Sequence, residues 1–305
     1  MIRPLALVDT LSIATLKGPD WAIRPSGARQ DGILNFAPGP FLWRRLRFRR
    51  SSIAWVSFSG RKVSGLVSAR PRSGPTVWWV DHMVVPHQDE TSGYGLLDKV
   101  AAQAGSRGAQ RMFLALPEEW HLQETARHCG YLPCVQIFQL ALLGRSTLIG
   151  VNPETGFRHR QSGDDHALFR LYNATTPSGV RSSFGLTLQQ WKDAQEAPTR
   201  RTKEFVLEQD GEVKAWVRLD HSNSVTRVRL TVHGDWRGEQ MSLVSFILKE
   251  TGPHALRWDV PEYQEDLRII LNHVGLEDLA SYQVMIKPLT ARVSERKMAP
   301  AHTWR

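Results

Sequence analysis

Cysteine is nearly absent: the 305 residues carry two, Cys129 and Cys134. They are too few and too close together for a disulfide framework, and no metal-ligand spacing accompanies them. They are read as reduced, mostly buried and structural, which predicts a cytoplasmic chain with no metal site. Long apolar runs are missing too. None approaches the roughly 18–20 residues of a membrane span, so no membrane association is expected. The opening stretch MIRPLALVDTLSIATLKGPD lacks a basic segment before a clean apolar core and a small-residue cleavage site. No secretory signal is expected there.

What is present is an ordinary soluble composition, 41% hydrophobic and 23% charged, long enough for one or two domains. The formal charge of +9 is unevenly spread. Residues 1–146 hold 18 Lys and Arg against 10 Asp and Glu, while residues 147–305 hold 21 against 20. Five arginines, Arg44, Arg45, Arg47, Arg49 and Arg50, crowd into WRRLRFRR. A basic first half favours an anionic partner, or the cluster is a solvated face. Interleaved aromatic motifs and a recognition element are missing, so nucleic acid is not expected as the partner.

One plan is written twice. SIAWVSF, a Ser59-Gly60 turn and RKVSGLVSAR lead through PRSGP into TVWWVDHMVV. KEFVLEQ, an Asp210-Gly211 turn and EVKAWVRLD lead through HSNS into VTRVRLTVH. Each reads as three antiparallel strands followed by a polar loop and a helix. The helices carry Leu96, Leu97, Val100 and Ala101, and then Leu243, Val244, Ile247 and Leu248, on one face at a constant offset of 147. RMFLALPEE and ALRWDVPEY follow as strands ending in Pro-Glu, then short helices stopping at Gly130 and Gly275. VQIFQLALL and SYQVMIKPL close the two copies. The spacing predicts domains at 1–146 and 147–290, joined near GRSTLIGVNPETG, with a polar tail at 291–305. The scattered tryptophans, Trp78 and Trp79 among them, are expected in cores or between domains.

This element order, a mixed α/β sheet with a crossover helix after its central strand, resembles the GCN5-related N-acetyltransferase (GNAT) family, as a tandem pair covering nearly the whole chain. The resemblance implies an acetyl-CoA-dependent N-acetyltransferase acting on an amine acceptor, as a monomer or homodimer. In the family, a V-x-P strand end precedes [Gln/Arg]-x-x-Gly-x-[Gly/Ala], whose backbone N–H groups and helix N-terminus hold the pyrophosphate. Unpaired N–H groups at a positive helix end make such a site in any protein. Val84-Val85-Pro86 matches the strand end. The loop runs from Gln88 to Gly93, with Thr91 in place of the first glycine, or from Glu90 to Gly95. Met83, Val84, Val85, Gln88, Thr91, Ser92, Gly93, Tyr94 and Gly95 are therefore the expected cofactor-binding residues. The second copy offers Asp235 to Gln240 with Gly238 alone, so the first copy is the expected acetyl-CoA binder.

Acyl transfer needs a base for the amine and donors for the thioester oxygen. The resemblance places the oxygen donor near Met83 to Val85 and suggests Asp81 or His82 as catalytic base, with His233 similarly placed in the second copy. Many members carry a tyrosine four residues before the glycine that ends the last helix, to protonate the departing sulfur. Ala126 and Leu271 stand there instead. A non-catalytic acyl-CoA-binding or structural pseudoenzyme of the same fold is the alternative.

Overall fold

The computed structural model describes residues 1–23, 34–47, 52–60, 62–86, 90–118, 120–142, 152–222, 225–236, 240–252 and 255–289. The polar tail, the joining segment at 143–151, and Gln88, Asp89, Arg237 and Gly238 of the two loops lie outside them. So do Arg49 and Arg50; the side chain of Arg45 bonds the Ser52 carbonyl oxygen at 2.7 Å.

The first half comprises β1 (Ile2–Pro4), α1 (Thr10–Ala14), β2 (Pro19–Asp20), β3 (Leu34–Asn35), α2 (Pro38–Arg47), β4 (Ile53–Ser59), β5 (Lys62–Pro71), β6 (Val77–Val84), α3 (Glu90–Ser106), β7 (Arg111–Pro117), α4 (Trp120–His128) and β8 (Leu132–Leu142). The second comprises β9 (Phe157–His159), α5 (Asp165–Thr175), α6 (Ser178–Phe184), α7 (Leu188–Ala194), β10 (Thr202–Gln209), β11 (Glu212–His221), β12 (Val225–Val232), α8 (Gln240–Thr251), β13 (Ala255–Pro261), α9 (Glu265–His273) and β14 (Glu277–Pro288). Both halves are mixed α/β, with the parallel strand pair linked by a crossover helix, as the repeat predicts.

The predicted helical faces are the buried ones. Leu96, Leu97, Val100 and Ala101 of α3 join Leu122 and Ala126 of α4 over one face of the first half's sheet. Leu243, Val244 and Ile247 of α8 join Leu267 and Leu271 of α9 over the second. Helices α4 and α9 stop in the same way. Gly130 and Gly275 take φ of 81° and 92°, a left-handed turn that costs glycine little. The next residue's N–H then reaches back to the Ala126 or Leu271 carbonyl at 3.0 Å.

The closing strands do something the repeat does not reveal. All the long strands lie in one sheet, ordered β1-β4-β5-β6-β7-β14-β8-β13-β12-β11-β10-β9. The second half's last strand, β14, sits between β7 and β8, antiparallel to both. The first half's last strand, β8, sits in turn between β14 and β13. Each half thus hands its final strand to its partner. The order outward from this seam is the same on both sides, but neither half contains its own complete sheet.

Candidate active site

In the first half, β6 and β7 pair in parallel only at Val77–Trp79 with Arg111–Phe113. Beyond that they part, which leaves backbone groups on both inner edges without a neighbouring strand. The chain's own residues 20–23 fill the gap. Met83 donates its N–H to Asp20 Oδ1 at 2.9 Å and accepts the Trp21 N–H at 2.8 Å. The Val85 carbonyl accepts the Trp21 indole N–H at 3.0 Å, and the Ala115 carbonyl of β7 accepts the Ile23 N–H at 2.8 Å. Asp20 and Trp21 are 1% and 2% exposed. A donor lying along Met83 to Val85 would have to break these bonds, so the expected cofactor-binding edge is engaged by the chain's own residues.

The other expected residues are placed as follows. Asp81 is buried and paired with Arg70 at 2.6 Å. His82 is buried, its Nδ1 2.7 Å from Asp20 Oδ2 and its ring edge-on to Phe36 and Phe41. Both candidate bases are therefore engaged within the protein. Thr91, Ser92, Gly93, Tyr94 and Gly95 all belong to the first turns of α3. A Cβ on Gly95 would come within 2.5 Å of Ile2 Cδ1, and one on Gly93 within 3.4 Å of Thr125 Cγ2. These two glycines face neighbouring protein. Cys129 and Cys134 are free, the first buried and the second half-buried, and burial pushes both thiols up to about 11.

The second half parts its strands in the same way, but no described segment is hydrogen-bonded into the gap. Strands β12 and β13 pair only at Val225–Val228 with Ala255–Trp258. Among the described residues, no backbone bond bridges the strands beyond that point. Leu230 and Thr231 of β12, and Asp259 and Pro261 of β13, instead border a pocket of about 210 Å³ between the halves. Helices α6 and α7 of the second half border it too, and Trp79, Val135 and Val284 enter from the first half's sheet. The β5–β6 turn ties the halves together beside it: Ser73 Oγ donates to the Gln195 carbonyl at 3.0 Å. Gly74 lies so close to Asp193 that a Cβ would fall 2.1 Å from its carboxyl carbon.

Strand alternation explains the pocket's charge. Ala215, Val217 and Leu219 of β11, with Val228 and Leu230 of β12, face the α8–α9 core. The intervening residues face the pocket's side of the sheet. Arg218 is directly opposite Arg229, and Asp220 opposite Arg227. Two guanidinium groups face to face repel each other, so carboxylates must stand between them. Glu196, just past α7, meets Arg72 at 2.7 Å, Arg229 at 2.8 Å and Arg227 at 3.3 Å. Asp220 bridges Arg218 and Arg229, and Asp259 pairs with Arg227. Burial pushes the Glu196 carboxyl up, but Arg72, Arg229 and Arg227 outweigh it and hold it well below the carboxylate range. Burial, then Arg229, pushes Arg218 below its ordinary value. Arg72 lies 4.2 Å above the Trp79 ring. Arg72, Glu196, Arg218 and Arg227 also border a second recess, of about 320 Å³, that runs to His221 and Val225.

Sequence reading missed this arginine cluster and the Asp20–Trp21 insertion. The cluster had a signal, since arginines at alternate positions interrupt the apolar strands AWVRL and VTRVRL. His233, the second copy's candidate, does not border the pocket.

Against known structures, a tandem GNAT protein from the clavulanic acid biosynthesis pathway aligns over 94% of this chain and 98% of its own, at 14% identity and TM-score 0.52. A GCN5-related N-acetyltransferase from Sphaerobacter thermophilus aligns over 94% and 95%, at 15% identity and TM-score 0.57. The chain has the tandem GNAT fold. No protein-family profile and no curated protein sequence matches it. At such low identity the shared GNAT property is the fold, and the chemistry must be argued from this chain's own residues. No described helix is long and apolar enough to cross a membrane, and no cluster of metal-ligating side chains occurs among the described residues.

Proposed function

We propose that the chain is an acyl-CoA-dependent N-acyltransferase whose donor enters the open parting of β12 and β13, with the amine acceptor in the pocket between the halves. The observation that carries this reading is the contrast between the two partings: the first is filled by residues 20–23, and the second is open and lined with side chains from both halves. Strand-edge groups left without partners are what an extended thioester arm needs for backbone hydrogen bonds. In the transfer, the amine lone pair forms the new C–N bond as the C–S bond breaks, and the thiolate takes up a proton. An N–H on the free edge of β12 suits the thioester oxygen as its charge grows. The first half then acts as a wall and a strand donor, a non-catalytic role consistent with its engaged Asp81 and His82.

The test is calorimetric titration of acetyl-CoA into the wild type and Thr231→Trp, together with thiol release over a panel of amines. Binding of one acetyl-CoA per chain, lost in Thr231→Trp, supports the reading. Undiminished binding in that variant would move the donor elsewhere, and absence of thiol release with every amine would favour the pseudoenzyme.

A further inference from the structure

We infer that the pocket between the halves is built for a small organic monocarboxylate with a flat apolar body. It deepens the acyltransfer reading, on which it rests only for the molecule's role as acceptor: the amine would belong to a small acid such as an aromatic amino acid.

The first support is a surplus of donors. Five buried groups on residues bordering the pocket have no hydrogen-bond partner among the described residues: the indole N–H of Trp79 and of Trp216, the Tyr172 hydroxyl, and the Nε–H of Arg72 and of Arg229. One acceptor there, the Gln264 amide oxygen, is in the same state. Buried donors without partners are costly and rare, and clustered on one pocket they mark where an acceptor-rich ligand completes them. A carboxylate, with two oxygens and about four lone-pair sites, suits that set.

Charge limits the ligand further. Arg72, Arg218, Arg227 and Arg229 stand against three carboxylates, Glu196, Asp220 and Asp259. Glu204 lies 3.8 Å from Arg218 but is taken by Arg160 at 2.6 Å. Among these seven groups one positive charge is in excess, which suits a monoanion better than a phosphate dianion. Val135, Val180 and Val284 and the aromatic ring of Phe184 add apolar wall beside these polar groups. The volume of about 210 Å³ gives room for a small molecule.

Calorimetry on the full chain, without acyl-CoA, tests this with phenylacetate, L-phenylalanine, phenethylamine and inorganic phosphate. Phenylacetate and phenylalanine should bind, and phenethylamine and phosphate should bind at least about tenfold more weakly, the scale of one charge-assisted hydrogen bond. Tyr172→Phe removes a hydroxyl that bonds nothing among the described residues. Its melting temperature should stay unchanged while phenylacetate affinity falls roughly three- to tenfold. Arg229→Gln should weaken the anion at least as much. Equal binding of phenethylamine, no anion binding at millimolar concentration, or unchanged anion affinity in Tyr172→Phe overturns the inference. Carboxylate binding without thiol release in the presence of acetyl-CoA would leave the pocket standing and remove the acyltransfer. Turnover of phenethylamine with no preference for phenylalanine would do the reverse.

Discussion

The two halves share an element order, a central pair of parting parallel strands and a pair of glycine-capped helices, yet treat the parting in opposite ways. In the first half Asp20, Trp21 and Ile23 bond both inner edges and bury themselves there. In the second the edges open onto an arginine-lined pocket. The half with the better glycine loop is thus the half whose strand edge is already taken. A loop motif reports local N–H supply, whereas access to the strands behind it depends on where a distant segment folds. The proposals above therefore rank the halves by occupancy, and each experiment below attacks that ranking.

The largest effect should come from separating the halves. Strand β14 supplies the pairing between β7 and β8, and β8 supplies it between β14 and β13. Residues 1–146 alone lose the strand that lies beside β7, and residues 147–305 lose the one beside β13. Neither fragment should show a cooperative thermal transition by circular dichroism, a loss of the whole stability, on the order of 5–15 kcal/mol. A cooperative melt from either fragment would mean that its closing strand can return home, making the exchange a late embellishment of two independent domains.

Next in size is the insertion itself. Trp21 is 2% exposed and packs among Met83, Val85 and Leu122. Trp21→Ala should cost about 4 kcal/mol in denaturant unfolding through the cavity and the lost indole bond. The acetyl-CoA stoichiometry should stay at one per chain. A second binding event in this variant would show that the first half is a competent site held shut by its own chain.

Much of the first comparison was legible beforehand, because helical periodicity and glycine caps are local. Leu96, Leu97, Leu243 and Val244 are all fully buried where the offset of 147 placed them. The strand exchange was not legible. VQIFQLALL and SYQVMIKPL are both apolar enough to fit either sheet, so nothing local says which sheet each joins. Residues 20–23, DWAI, are too short for any period to emerge. The pocket hid behind a sum: the second half is nearly neutral because Arg218, Arg227 and Arg229 are offset by Glu196, Asp220 and Asp259, and net charge does not record where offset charges sit. Trp79 was expected in a core or between domains, and it borders the interface pocket.

A smaller effect should follow from removing the charge that holds the arginines together. Glu196→Gln keeps the shape but leaves Arg72, Arg227 and Arg229 short of a partner, and should cost about 3 kcal/mol at neutral pH, the lower end for a broken buried ion pair. Its pH dependence follows from the direction of the shift. The folded carboxyl ionises at lower pH than the unfolded one, whose ordinary value is 4.5. The contribution is therefore fully present above that value and is lost as pH falls from it towards the folded value. Wild type and variant should converge in acid, where denaturant unfolding would read the gap. A gap that persists at low pH would assign Glu196 a packing role and weaken the charge argument for the pocket.

The smallest expected change is the most direct probe of the ranking. Gly93 belongs to the expected phosphate loop in either register, yet it sits in helical backbone with no positive φ. An added Cβ would meet Thr125 Cγ2 at 3.4 Å and Val85 Cγ1 at 3.6 Å, ordinary contact distances. Gly93→Ala should therefore stabilise the chain by up to about 1 kcal/mol through helix propensity and a less flexible unfolded state. Acetyl-CoA affinity should not move, since the donor is assigned to the other half. Denaturant unfolding and calorimetry on one preparation separate the two effects. If the variant folds as well as wild type but loses acetyl-CoA, a methyl group on α3 has met the donor, and the first half is the binding half despite its filled cleft.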